Sequence, residues 1–113
     1  MNTPSRMPVV FVGQGSPMNA LGGPNAQVWR EVAAGLPRPR AILAISAHWG
    51  LNETAVTAVA APKTIHDFGG FPQPLFDMQY PAPGDAQLAA RTAELLAPMA
   101  VRAYQDWGLD HGT

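Results

Sequence analysis

The chain contains no cysteine, so it can build neither a disulfide framework nor a thiolate metal site. Any metal must be held by imidazole, carboxylate or amide oxygen. Charge is also scarce: charged residues make up 13% of the chain, the net charge is −1, and the seven Lys and Arg are scattered apart from Arg38 and Arg40 around Pro39. This excludes the basic stripe that a phosphate backbone requires, and no nucleic-acid partner is expected. No apolar run approaches the roughly 18 residues of a membrane span, and the opening Met1 to Pro8 is short and polar. The expectation is a cytoplasmic protein with no membrane partner.

What is present is apolar. Hydrophobic residues form 47% of the 113 positions, enough for one domain that buries roughly two-thirds of the surface its unfolded chain would expose. So little charge against so much apolar surface implies either much buried surface or surface meant to be covered by something else.

The apolar runs Val9 to Val12 and Arg40 to Ala47 have the pattern of strands buried on two faces, as in a parallel sheet. Between them Asn25 can cap a helix with Val28, Trp29, Val32 and Leu36 on one side, ended by Gly35 and Pro37. Strand, helix and strand make a βαβ unit. Thr54 to Ala60 alternates weakly and predicts a third strand. Pro62 to Pro83 carries five prolines and four aromatics, too many prolines for regular structure and too many aromatics for a disordered linker, which predicts an ordered loop packed over a site. Asp85 then caps a helix in which Leu88, Leu95 and Leu96 share a face with Thr92 while Arg91 and Glu94 point to water. Val101 to Tyr104 predicts one more strand. The fold class is α/β, a βαβ-containing, mostly parallel sheet flanked by helices.

Chemistry concentrates in a few places. His48 follows the apolar run Ala41 to Ala47 and precedes Trp49, and the end of a buried strand is where α/β folds present their sites. It can be a metal ligand, a general base or a core histidine. Gly13-Gln14-Gly15-Ser16-Pro17 invites comparison with phosphate loops, but a dinucleotide fingerprint needs a third glycine where Met18 stands, and no Gly-Lys-Ser follows. The structural alternative is a turn whose glycines permit positive φ, with Ser16-Pro17 starting a helix. Ser16 with Asp110 and a histidine makes a hydrolase triad on paper, yet Pro17 and Met18 break the nucleophile elbow. His111, in Asp110-His111-Gly112, can be an acid/base group or a loop residue. Phe68 and Phe71 flank Gly69-Gly70 close to His66 and Asp67, an arrangement that can wall a flat apolar ligand or form a mini-core under the loop.

Taken in order, Val12-Gly13-Gln14-Gly15-Ser16-Pro17-Met18-Asn19, Leu36-Pro37-Arg38-Pro39, Ser46-Ala47-His48-Trp49, Thr64-Ile65-His66-Asp67-Phe68-Gly69-Gly70-Phe71-Pro72, Tyr80-Pro81-Ala82-Pro83-Gly84 and Trp107-Gly108-Leu109-Asp110-His111-Gly112 form a specific set. It resembles the class III extradiol ring-cleaving dioxygenases of the bacterial 4,5-DOPA extradiol type. The resemblance implies a mononuclear non-haem metal, Fe(II) for turnover and often Zn(II) in isolated proteins, at the end of an α/β sheet. It also implies a small catechol as substrate, with O2 as co-substrate. His48 matches a family metal ligand, and His111 matches the histidine that handles catechol protons. His66, Phe68 and Phe71 become the candidates for substrate contact.

The chain departs from the family pattern twice. Gln14 stands where the family has a ligand histidine, and an amide oxygen is a much weaker donor to Fe(II) or Zn(II) than an imidazole nitrogen. The sequence also stops just after the Asp-His-Gly motif, so residues 1–113 are expected to be the N-terminal portion of a larger catalytic domain. The fragment by itself is expected neither to hold a metal tightly nor to cleave catechols, and its uncovered surface predicts self-association. The rival reading is a non-catalytic aromatic-binding or interaction protein derived from this fold.

Overall fold

The computed structural model describes residues 6–113, and the chain divides into two compact units, Met1–Ile42 and Leu43–Thr113. The first unit holds a 3-10 turn, Pro17–Leu21, and helix α1, Pro24–Ala34. Ser16 starts the turn: its Oγ accepts from the Met18 amide at 3.2 Å and Pro17 occupies the first helical position. Gly15 adopts φ +62°, and the Asn19 side chain donates to the Gln14 carbonyl at 2.9 Å. The turn reading of this segment is therefore correct.

Helix α1 begins two residues earlier than its sequence predicts. Gly23, at φ +104°, is the cap in place of Asn25, because Pro24 has the fixed φ suited to a first helical position. Gly35 ends the helix as expected. Ala26 is its buried residue, whereas Val28 and Val32 are exposed and Trp29 is half-buried.

The second unit carries the sheet. Strands β1, Thr54–Thr57, and β2, Val101–Tyr104, pair in parallel with Thr54 opposite Val101 and Thr57 opposite Tyr104. The Ala58 amide extends the pairing to the Tyr104 carbonyl at 2.8 Å. Between the strands lie helix α2, Gln73–Asp77, and helix α3, Ala86–Leu96, and α3 packs against both strands. A βαβ unit is thus present, and the class is mixed α/β, but the unit is β1-α3-β2 and lies downstream of the predicted one.

The runs Val9 to Val12 and Arg40 to Ala47 form no strand among the described residues. Val9 and Phe11 are each 99% exposed and Ile45 92%. Apolar patterning expresses a demand for neighbours, and a parallel strand forms only where a ladder partner on the hydrogen-bonding side meets that demand.

Asp85 caps α3 as its sequence predicts, its Oδ1 accepting from the Leu88 amide at 2.9 Å. Ala89 is buried and Leu88, Thr92 and Ala93 beside it are half-buried, while Arg91 pairs with Glu94 at 3.0 Å in solvent. Leu95 and Leu96 are exposed, contrary to expectation, because two four-residue strands are too small a surface to cover the last helical turn. The proline-rich segment is ordered, and it contains a short helix that its composition argued against. Pro74 sits in the first turn of α2, where its missing amide costs no hydrogen bond, and Leu75 is buried beneath it. No helix among the described residues is long and apolar enough to cross a membrane.

Candidate active site

Beyond the two strands, one further parallel stitch organises the unit. Thr64 bridges to Leu109: the Ile65 amide donates to the Leu109 carbonyl at 2.7 Å and the Leu109 amide to the Lys63 carbonyl at 2.8 Å. The two segments approach so closely that a Cβ at Gly108 would fall on the Lys63 carbonyl oxygen and lie 2.9 Å from the Lys63 amide nitrogen. Two residues past each end of this stitch stand Asp67 and His111, which the pairing carries to one place.

Asp67 Oδ1 accepts twice from His111, from its backbone amide at 3.0 Å and from ring Nδ1 at 2.6 Å. Phe68 sets its ring edge-on to His111, with centroids 5.7 Å apart. The His48 ring lies against the other imidazole, centroids 3.8 Å apart and planes tilted by 40°. Ligand atoms of His48, Asp67 and His111 all lie within 4.8 Å of one another.

His48 is held from behind by a second polar chain. Its amide donates to Ser46 Oγ at 3.1 Å, and Ser46 Oγ donates to Asp110 Oδ1 at 2.5 Å. The same carboxylate oxygen accepts from the Gly112 amide at 2.9 Å. Asp110 is 5% exposed, and its Oδ2 is buried without a hydrogen-bond partner among the described residues. Gly112 completes the corner, since a Cβ there would meet Ser46 Oγ and the His48 ring. On the far side Trp49 stacks in parallel on Trp107, centroids 5.6 Å apart, and meets the Tyr104 ring edge-on, which ties the residue after His48 to the end of β2.

Burial pushes the Asp67 carboxyl up, but the hydrogen bonds from the His111 amide and ring outweigh it, and the group titrates below its usual range. A carboxylate here is therefore charged at neutral pH and anchors the imidazole. Two imidazoles and a carboxylate are the donor types of mononuclear non-haem iron sites and also suit zinc. Two donors on one such ion stand about 3.0–3.5 Å apart, given bond lengths of about 2.1 Å. The three residues offer a group that could hold such an ion, with ligand atoms that span up to 4.8 Å.

The remaining candidates are distributed as follows. His66 Nε2 donates to the Met78 carbonyl at 2.6 Å, and its ring meets Phe68 edge-on at 5.9 Å. Phe68 is the hub of an aromatic cluster, 5.6 Å from Phe71 and 5.0 Å from Phe76. Gln14 belongs to the first unit, beside the 3-10 turn. Sequence reasoning gave no role to Asp67, Ser46 or Gly112. The usable signals were a carboxylate directly after His66 and a serine two residues before His48.

A His/Asp/His group that could hold a metal thus stands on a parallel α/β scaffold, and comparison with known proteins gives the family of the chain. The family described as the catalytic LigB subunit of aromatic ring-opening dioxygenase matches residues 9–113, and the chain belongs to that family. It is 52% identical over 111 residues to the 4,5-DOPA dioxygenase extradiol of Escherichia coli (strain K12), covering 96% of this chain and 41% of that relative. To the 4,5-DOPA dioxygenase extradiol of Beta vulgaris it is 39% identical over 110 residues, 90% of this chain and 41% of the relative. To the dioxygenase tasH of Hapsidospora irregularis it is 32% identical over 122 aligned positions, 93% of this chain and 37% of the relative. The chain thus spans about two-fifths of the length of these relatives.

Proposed function

We propose that residues 1–113 form the N-terminal portion of an extradiol ring-cleaving dioxygenase domain that opens a small catechol such as DOPA with O2. The observation that carries this reading is the convergence of His48, Asp67 and His111, together with 52% identity to a 4,5-DOPA dioxygenase extradiol. In this reading His48 is a metal ligand, and Gln14 stands at the position of a second, offering a neutral amide oxygen. Fe(II), or Zn(II) in its place, would supply the Lewis acidity, and iron the redox chemistry, that bring catechol and dioxygen together.

This chain's own residues handle protons and shape. The His111 imidazole takes the phenolic proton as general base. Phe68 and Phe71 offer ring surface to a planar substrate, and Phe76 packs against Phe68. His66, its Nε2–H engaged by the Met78 carbonyl, lines the same cluster. The chain operates in the cytoplasm, in keeping with its lack of cysteine, and its exposed apolar runs favour self-association.

Oxygen uptake with catechols tests the reading, measured on the longer catalytic domain with Gln14 and with Gln14→His. Catechol-dependent uptake with formation of a semialdehyde acid, abolished by His48→Ala, is expected; uptake indifferent to His48→Ala overturns the assignment. Gln14 also favours a second reading, a non-catalytic aromatic-binding relative. Catechol binding without uptake in either form would select it.

A further inference from the structure

We propose that Asp67 is the positioning residue that fixes the tautomer of His111, holding the proton on Nδ1 so that Nε2 keeps its lone pair. Asp67 meets His111 at two points, the backbone amide at 3.0 Å and the ring nitrogen at 2.6 Å, both on the same oxygen. A two-point clamp fixes the ring's rotation as well as its protonation, and Phe68 closes a third side with its edge against the imidazole. A carboxylate has only lone pairs to offer, so the nitrogen facing it must be the donor. The clamp is partly open to solvent, with the Asp67 side chain 24% and the His111 side chain 15% exposed.

The consequence for chemistry rests on the dioxygenase reading. A bare Nε2 is the atom that can accept a catechol proton. When it does, the O–H bond breaks, its electron pair stays on the catechol oxygen, and the resulting imidazolium is paired with the Asp67 carboxylate. With the opposite tautomer Nε2 already carries a proton and cannot act as the base. Asp67 thus sets which direction of proton transfer is open to His111 without itself touching substrate.

The same fold provides an internal reference of the opposite kind. His66 donates from Nε2 to the Met78 carbonyl at 2.6 Å, which leaves its Nδ1 bare. Long-range nitrogen–proton NMR spectra of the metal-free 113-residue chain, with the imidazoles neutral, distinguish protonated from bare ring nitrogens directly. The wild-type chain is expected to show His111 protonated at Nδ1 and His66 at Nε2. Asp67→Ala should shift His111 to a mixture of tautomers while His66 stays unchanged. Asp67→Asn, whose carbonyl oxygen can still accept both bonds, should keep the Nδ1–H form. A wild-type His111 protonated at Nε2 overturns the proposal whether or not any variant folds, and so does an Asp67→Ala spectrum identical to wild type. If the expected pattern is found but the oxygen-uptake assay fails, the clamp stands and the dioxygenase reading falls.

Discussion

Gly108→Ala should damage the stitch that brings Asp67 to His111. The added Cβ would sit on the Lys63 carbonyl oxygen and 2.9 Å from two further Lys63 backbone atoms, and a backbone cannot swing aside as a side chain can. Overpacking of this kind costs about 1–3 kcal/mol. Parting the strands also weakens the two hydrogen bonds between 63–65 and 109, each contributing about 0.5–1.5 kcal/mol. The lower entropy of an unfolded chain with alanine returns about 0.4–1 kcal/mol, leaving a net loss of about 2–5 kcal/mol. For a domain of this size that is a fall in Tm of roughly 10–20 °C. Gly69→Ala is the matched control, because nothing lies within 4 Å of its Cβ position, and it should stay within about 0.5 kcal/mol of wild type. Thermal and urea unfolding followed by circular dichroism read both variants, and amide exchange at Ile65 and Leu109 localises the effect. Equal stability of the two variants would refute the close approach at Gly108.

Ser46→Ala removes the hydroxyl that accepts from the His48 amide and donates to buried Asp110. We expect a loss of about 1–3 kcal/mol in urea unfolding, because a buried carboxylate loses a donor. Asp85→Ala deletes the α3 cap and should cost about 1 kcal/mol in the same assay. Asp67 titrates lower in the folded chain than in the unfolded one, so its contribution is complete above the ordinary aspartate range, near 3.9, and is lost as pH falls through the lower folded value. Metal-free wild type should therefore lose urea stability on acidification more steeply than Asp67→Asn, and parallel profiles would contradict the His111 clamp. Gln14→His should tighten Fe(II) or Zn(II) binding by at least 10–100-fold by calorimetry if position 14 is a ligand.

Local signals in the sequence carried much of the fold. Asp85 and the 3.6-residue period of 86–96 specify α3, the β-branched Thr54–Thr57 specifies a strand, and Ser16-Pro17 specifies a helical start. The runs at 9–12 and 40–47 mislead because a strand is defined by its partner, and hydrophobicity alone says nothing about where that partner is. The ordered motifs made the family legible, and they singled out His48 and His111. Their contact at 3.8 Å, and the role of Asp67, depend on a bridge between residues 45 positions apart, Thr64 and Leu109, which no local pattern encodes. The structure uses Gly108 and Gly112 for close approach to distant segments, a need that no local pattern announces.

The convergence of His48, Asp67 and His111 is tested most directly by titrating the isotope-labelled chain with Co(II) and following paramagnetic broadening residue by residue. The account predicts that signals of these three residues broaden first and together, and that His48→Ala abolishes the effect. Broadening centred on His66, or none around position 48 at millimolar metal, would contradict it.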